Sequence, residues 1–349
     1  MENNKEAIFA VGKQSVKLPM PIYIRASASV VGEKEGKGPL GEYFDMIGDD
    51  ELFGCTNWEE AESTLQKEAV TLAMGKAGIS KEDVRYLLAG DLLGQTIATS
   101  FGLKEFEIPL FGLYGACSTC GETISLGSMI LGGGFAKNVV CVTSSHFASA
   151  EKEFRFPMEY GGQRPPCATR TVTGGGAFVL STEKGSNPKA LITGVTTGKI
   201  VDMGVKDSFN MGCSMAPAAA DVIAANLRDF QRDPGDYDKI ITGDLGEVGQ
   251  KALFSLMEQR GFDITKNHMD CGMEIFDKGQ KGTLSGGSGC GCAATVLSAY
   301  ILKKLEEGEY KRILFVPTGA LLNKTSFNEG QTVPGIAHAV ILESCSTPL

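Results

Sequence analysis

The sequence predicts an α/β protein made of two copies of one domain, each a mainly parallel sheet covered by helices on both faces. Three observations lead there. Four segments recur in the same order in the two halves of the chain. Strand-like and helix-like stretches alternate within each half. The helix that follows the most distinctive cysteine consists almost wholly of small and apolar residues.

The recurrence is explicit. YLLAGDLLGQ at 86–95 is matched by KIITGDLGEVGQ at 239–250. GACSTCGETISLGSMIL, starting at Gly115, is matched by GGSGCGCAATVLSAYILKKL, starting at Gly286. Apolar strands at 139–143 and 313–317 follow, and both halves close alike, with TVTGGGAFVLST at 171–182 and QTVPGIAHAVILES at 331–344. A period of roughly 160–170 residues is too long for a solenoid and means two domains. We divide the 349-residue chain into 1–185 and 186–349. Alternating strands and helices imply mainly parallel sheets, in a layered arrangement with helices between the two.

In chain order, short strands are expected at 21–24 and 28–31, then a polar glycine-rich loop at 32–41. Residues 58–77 carry apolar residues at helical spacing and stop at Gly78, a C-cap. Ser80 to Asp83 read as a capping box. A strand at 86–89 ends in Gly90-Asp91-Leu92. Residues 110–114 read as a buried strand, and a helix runs from the following turn to Gly132. Gly121, Ser125 and Ser128 share one face of that helix, so another backbone can approach closely. In the second half a helix is expected at 217–230, and the strand at 240–241 leads into Gly243-Asp244-Leu245.

Composition excludes several classes. Apolar residues are 42% and charged residues 21%, ordinary for a packed globular protein. The formal charge is −9, with no long basic run, so nucleic acid has no electrostatic footprint. The first ten residues lack the apolar core of a secretory signal, so the 10 cysteines are expected to be reduced, intracellular thiols. No apolar run approaches the ~20 residues of a membrane span.

Cys117 sits at the turn into the small-residue helix. The unpaired amides and dipole of a helix N-terminus stabilise an anion there, so its thiol pKa is expected to be depressed. The alternative is a small, inert core cysteine. Cys117 and Cys120 fit neither a redox motif nor a zinc site, and Cys120 reads as core. Asp91 and Asp244, at equivalent strand ends, could bind calcium in a ligand complex, but with few carboxylates nearby they read better as turn formers.

Duplicated α/β halves with GAC at 115–117 resemble the thiolase-like fold, in which thiolases and ketoacyl synthases carry an acyl-accepting cysteine at this turn. The implied architecture is five-layered, αβαβα. A finer resemblance rests on GPLGEYFD at 38–45, LAGDLL at 88–93, FGLYGACST at 111–119, EYGGQRP at 159–165, SMAPAAAD at 214–221, TGDLG at 242–246 and GGSGCGC at 286–292. These motifs resemble the stage V sporulation protein AD family of endospore-forming bacteria. The resemblance implies dipicolinic acid (pyridine-2,6-dicarboxylate) as ligand, with calcium as a chelate partner, and a role in its uptake into the developing spore. It also implies membrane-embedded partner proteins of the same system and a peripheral location on the spore inner membrane. The fold implies a homodimer through the first half.

A condensing enzyme of this fold needs imidazole or amide groups from its second half. The chain has three histidines, and the loop where ketosynthases offer one reads Gly243-Asp244-Leu245-Gly246. The loop at 285–289 holds no Asn or His. The expectation is therefore a non-catalytic binding protein without cofactor or resident metal. The alternative is an acyltransferase with Cys117 as nucleophile. His338, in the closing loop of the second half, is a candidate to face Cys117 or to be a core histidine. His146 could line the pocket mouth, and His268 reads as structural. Dipicolinate is a dianion, so cations are sought among Lys152, Arg155, Arg164 and Arg170, either binding carboxylates or pairing with Glu151, Glu153 and Glu159. The candidate ligand-binding set is Cys117, His146, Arg164, Asp244, Gly286 and His338.

Overall fold

The computed structural model describes residues 9–154 and 164–346. Arg155, Glu159, Gly161 and Gly162, singled out above, lie outside the described residues, as does most of the 159–165 motif.

The first half is built on five strands: β1 (Ser15–Val31), β2 (Tyr86–Gly90), β3 (Leu110–Gly112), β4 (Asn138–Ser145) and β5 (Gly174–Ser181). They lie side by side in the order β3-β2-β4-β5-β1. The second half uses β6 (Ala190–Thr196), β7 (Lys239–Thr242), β8 (His268–Asp270), β9 (Arg312–Val316) and β10 (Ala339–Glu343). Their order, β8-β7-β9-β10-β6, is the same pattern. In both halves the first three neighbours are parallel and the fourth strand is antiparallel to its flanks. The two sheets are also joined: β1 pairs antiparallel with β6, making one continuous sheet.

Helices complete five layers. α1 (Trp58–Ala77) and α2 (Ile97–Leu103) cover the outer face of the first half. α3 (Thr119–Gly132) lies between the halves, and α4 (Phe147–Phe154) follows β4. α5 (Met211–Asp229) and α6 (Gly246–Gln259) cover the outer face of the second half. α7 (Cys290–Val296) is the second central helix, the counterpart of α3.

Successive strand residues point to opposite faces, and the core divides accordingly. Val140 and Val142 pack outward against Leu65 and Val70 of α1. Val139 and Cys141 of the same strand pack inward with Ile124 of α3 and Val296 of α7. In the second half Ile240 and Leu314 face Val222 and Ile223 of α5, while Ile241 and Phe315 join the central layer. Each central strand is thus buried on both faces, which is why it is nearly all apolar. The triple glycine of β5 follows the same logic. A Cβ on Gly176 would lie 2.7 Å from Ala294 of α7, and one on Gly175 would lie 3.2 Å from the Leu65 carbonyl of α1. Helix backbones ride on this strand from both sides.

Local signals hold at α1. Asn57 caps it by accepting from the Glu60 amide at 2.9 Å, and Gly78 ends it at φ +64°. Ser80 and Asp83 form the capping box. Four expectations are corrected. Each half is a mixed sheet, with two parallel and two antiparallel pairings, and not a mainly parallel one. The pieces at 21–24 and 28–31 belong to one 17-residue strand, β1. The helix expected from Pro217 begins at Met211 under an Asn210 cap, with Pro217 inside it. Residues 110–112 form an exposed edge strand, not a buried one: Leu110 and Phe111 are each 44% exposed. Among the described residues no helix is long and apolar enough to cross a membrane.

Candidate functional site

The chain leaves β3 and turns sharply into α3. Ala116 sits at φ +51°, a strained region for a residue with a Cβ. The turn is pinned by its own side chains. Ser118 Oγ donates to the Gly115 carbonyl at 2.7 Å, Thr119 Oγ1 donates to the Ala116 carbonyl at 2.6 Å, and the Gly115 amide donates to Thr119 Oγ1 at 2.9 Å. The second half closes over it. A Cβ on Gly319 would lie 2.3 Å from the Gly115 carbonyl, and one on Gly121 would lie 3.0 Å from the His338 carbonyl. Cys117 is consequently buried, packed among Leu92, Ala150, Cys290 and Phe154.

Asp244 meets it from the second half. One carboxylate oxygen accepts from Ser288 Oγ at 2.8 Å and the Gly289 amide at 2.9 Å; the other accepts from Thr318 Oγ1 at 2.7 Å. Cys117 Sγ lies 3.8 Å from Ser288 Oγ. Burial pushes the Cys117 thiol well above its ordinary pKa, and the neighbouring Asp244 charge pushes it further. The expected depression is thus reversed: the helix N-terminus is present, but desolvation and a carboxylate outweigh it. The thiol is protonated at neutral pH. Asp244, engaged by these three donors and by the Cys117 thiol, has its own pKa raised by burial.

His338 is buried in the closing loop. Its Nδ1 accepts from the Gly198 amide at 3.3 Å, which puts the ring proton on Nε2. That buried Nε2–H has no acceptor among the described residues. Burial lowers its pKa to about 4, so the ring is neutral.

The remaining candidates lie elsewhere. Both ring nitrogens of His146 are engaged, Nε2 with the Glu51 carbonyl at 2.8 Å and Nδ1 with the Ala148 amide at 3.1 Å. Arg164 pairs with Glu151, donates to the Thr169 carbonyl at 3.2 Å and lies over Phe147. Arg170 covers the same ring, 3.6 Å from its centre. Lys152 pairs with Glu59 at 2.6 Å. Gly286, at φ +125°, packs on the Gly272 carbonyl and accepts from the Arg170 amide at 2.9 Å; it shapes the loop that carries Ser288. His268 is held by Thr242 and Gln250 and is structural. Of the six candidates, Cys117 and Asp244 come together, and His338 adjoins the first turn of α3. Ser288 and Thr318 were missed. Ser288 lies inside the 286–292 motif, but nothing in that motif marks its hydroxyl as the group that reaches Asp244.

A cleft of about 470 Å³ opens beside this pocket. Leu92 and Phe154, which pack on Cys117, line it, together with Tyr114, Leu322, Glu153 and Lys324. Among the described residues no cluster of His, Cys, Asp and Glu could hold a metal ion.

This architecture, with a cysteine at the turn into the first central helix, defines a thiolase-like protein. Cerulenin-bound OleA of Xanthomonas campestris matches with a TM-score of 0.59 at 12% identity, covering 93% of this chain and 99% of that one. Human mitochondrial 3-ketoacyl-CoA thiolase in complex with CoA gives 0.57 at 14% identity, covering 95% and 99%. The 3-oxoacyl-[acyl-carrier-protein] synthase III of Aquifex aeolicus VF5 gives 0.55 at 12%, covering 92% and 99%. At such identities these likenesses establish the fold alone. The family follows from sequence. The model for stage V sporulation protein AD matches residues 12–343. Stage V sporulation protein AD of Bacillus subtilis (strain 168) is 43% identical over 332 residues, covering 95% of this chain and 97% of that protein. The chain belongs to the stage V sporulation protein AD family and is a sporulation protein with a thiolase-like fold.

Proposed function

We propose that this protein binds dipicolinic acid in the cleft beside Cys117, as its calcium chelate, and supports its uptake into the developing spore without catalysing a reaction. The cleft carries the reading. About 470 Å³ is in the range of small-ligand pockets. Tyr114 and Phe154 put aromatic rings in its lining, suited to a planar aromatic ligand, and Leu92 and Leu322 add apolar wall. Charge favours the chelate over the free dianion. Glu153 lines the cleft, and Asp244 lies buried behind Cys117. A dianion would face these carboxylates, whereas a calcium chelate is neutral and brings its own cation to them.

The competing reading is an acyltransferase with Cys117 as acyl acceptor. A protonated thiol beside a fully hydrogen-bonded carboxylate disfavours it. Titration calorimetry with dipicolinate, with and without calcium, tests the first reading; intact mass after incubation with acyl-coenzyme A thioesters tests the second. Saturable, calcium-enhanced binding that weakens at least tenfold in Tyr114→Ala is expected, with no mass gain. No binding in either condition would reject the carrier, and a stoichiometric acyl adduct on Cys117 would replace it with the transferase.

Two further parts of the reading concern partners. A homodimer would form through β3, whose outer edge is open and carries Leu110 and Phe111, with Phe101 of α2 exposed nearby. Phe111→Glu should convert a dimer to a monomer in sedimentation velocity; a wild-type monomer would reject it. The protein would act at the spore inner membrane, beside the membrane-embedded proteins of its system.

A further inference from the structure

The ligand cleft leaves one end of the molecule unexplained. α3 runs from the Cys117 turn to Gly132, about 20 Å at 1.5 Å per residue. At its far end the chain makes a glycine turn and presents Phe135, 72% exposed and the most exposed large apolar side chain among the described residues. Beside it β1 is interrupted. Its pairing with β6 shifts register between Lys17 and Ile22, and Pro19, Met20 and Pro21 are exposed there. The interruption and the turn are in contact: a Cβ on Gly132 would lie 3.2 Å from the Pro19 ring. Met20 is 39% exposed. Two protruding loops thus hold apolar side chains in water at one spot.

Cations ring that spot. Lys17 flanks the interruption. Lys137 follows Phe135, and its carbonyl accepts from the Thr182 amide at 3.1 Å, which brings in the turn carrying Lys184. Arg25 packs against Gly185 of that turn. Lys17, Lys137 and Lys184 make no ion pair with any described residue, and Glu306 nearby is neutralised by Lys189 at 2.7 Å. Glu183, beside Lys184, is the one exposed carboxylate of that turn; Lys17, Lys137, Lys184 and Arg25 outnumber it, a local excess of positive charge in a chain of net charge −9.

We propose that this end is a docking surface for an anionic lipid bilayer, with Phe135 and Met20 entering the interface and Lys17, Lys137 and Lys184 meeting the headgroups. A protein partner would want a broad apolar patch of about 800 Å². Two apolar knobs on protruding turns inside a ring of lysines suit shallow insertion instead. The proposal deepens the membrane-side reading above. It leaves the cleft, at the other end of α3, open to ligand while the protein is docked.

The test is co-sedimentation of the full chain with phosphatidylcholine vesicles, with and without phosphatidylglycerol, across a salt series. Binding to anionic vesicles alone, weakened by salt, is expected. Each of Lys17→Gln, Lys137→Gln and Lys184→Gln should weaken it about fivefold, and Phe135→Ser should weaken it further. Met203→Ser, at an exposed apolar side chain of the second half that belongs to neither turn, should leave it unchanged. Unfolding curves check that the variants fold. Dipicolinate titration of the same variants should match wild type, so failure of the docking surface is distinguishable from failure of the ligand reading. Absence of binding to anionic vesicles at low salt, or binding indifferent to Phe135→Ser and the lysine changes, would overturn the proposal. Binding only to vesicles that carry membrane proteins would overturn it as well, in favour of a protein partner.

Discussion

Asp91 and Asp244 stand at the same place in the two halves, in the same Gly-Asp-Leu triplet after the second strand, and do different work. Asp91 serves its own loop: it accepts from the Leu93 amide at 2.8 Å, the Thr99 amide at 2.8 Å and Thr99 Oγ1 at 2.6 Å. Asp244 reaches across to Ser288, Gly289 and Thr318 and lies beside Cys117. The second half can spare it because another carboxylate holds its loop. Asp270, the last residue of β8, accepts from the Leu245 amide at 2.8 Å, the Gly246 amide at 3.1 Å and Thr242 Oγ1 at 2.6 Å. The matching last residue of β3 is Gly112, which has no side chain to offer. Duplication left the structural duty with Asp91 in one copy and moved it to Asp270 in the other, which freed Asp244 for the pocket.

The largest effects should fall on the two structural carboxylates. Asp91→Ala and Asp270→Ala each strand buried donors, two of them backbone or fixed amides, at about 1–3 kcal/mol per group. Each variant should lose roughly 3–5 kcal/mol of stability in denaturant unfolding. Asp244→Ala strands two hydroxyls, which can rotate to other acceptors, and one amide. It should lose about 1–3 kcal/mol and should change ligand affinity, which Asp91→Ala should not do in the protein that remains folded. Equal stability losses at Asp91 and Asp244, with equal effects on ligand, would break the comparison.

The handover was not legible in the sequence. The two triplets were visible as a repeat, and both aspartates read as turn formers, which fits Asp91 and not Asp244. Local patterns carry what local physics decides: the Asn57 and Gly78 ends of α1, the capping box at Ser80 and the alternation that buries Val139 to Val142. They fail where a distant partner decides. Cys117 sits at a helix start, which argues for an acidic thiol, but its pKa is raised by burial and by a carboxylate more than 120 residues away. Leu110 and Phe111 read as a buried strand because apolar residues usually mean burial; that β3 is an edge follows only from the sheet order. Arg164 reads as a ligand cation, and its contact with Glu151 depends on how 164–170 folds back on α4.

The pH response should sharpen the comparison, because the outer helices differ beneath the two triplets. α1 brings Glu62 next to Asp91, with its oxygens accepting from Ser144 Oγ at 3.1 Å and Ser149 Oγ at 2.6 Å. The matching helix α5 is alanine-rich, at 218–220. Burial, then the Asp91 charge, raises the Glu62 pKa from 4.5 to about 8. A raised carboxyl pKa means the folded state keeps a proton that the unfolded chain releases. Its contribution is complete below about pH 4.5 and is lost as pH rises towards 8, by up to a few kcal/mol. Wild-type stability should therefore carry a downward slope across that window, to which Glu35 and Asp270, both raised by burial to about 7, also contribute, and Glu62→Gln, which stays neutral and can still donate, should make it shallower. An unchanged slope in the variant would mean that Glu62 and Asp91 are both ionised in the fold.

The smallest expected effect is on thiol chemistry, and it separates the two aspartates most directly. Burial is the larger cause of the raised Cys117 pKa and the Asp244 charge the second. Asp244→Asn removes the charge and keeps the shape, so the pKa should fall without returning to the ordinary thiol value. Thiolate fraction rises tenfold for each unit of that fall. Alkylation of Cys117 by iodoacetamide, followed by peptide mass mapping because nine other cysteines are present, should accelerate several-fold at pH 8 and remain slower than a free cysteine. Asp91→Asn, in the same triplet of the other half, should leave the rate where it was. Acceleration by both would mean that the pocket had loosened and that the Asp244 charge is not what holds the proton on sulfur. Acceleration by Asp244→Asn alone would tie the inertness of Cys117 to the one carboxylate that the second half released from its loop.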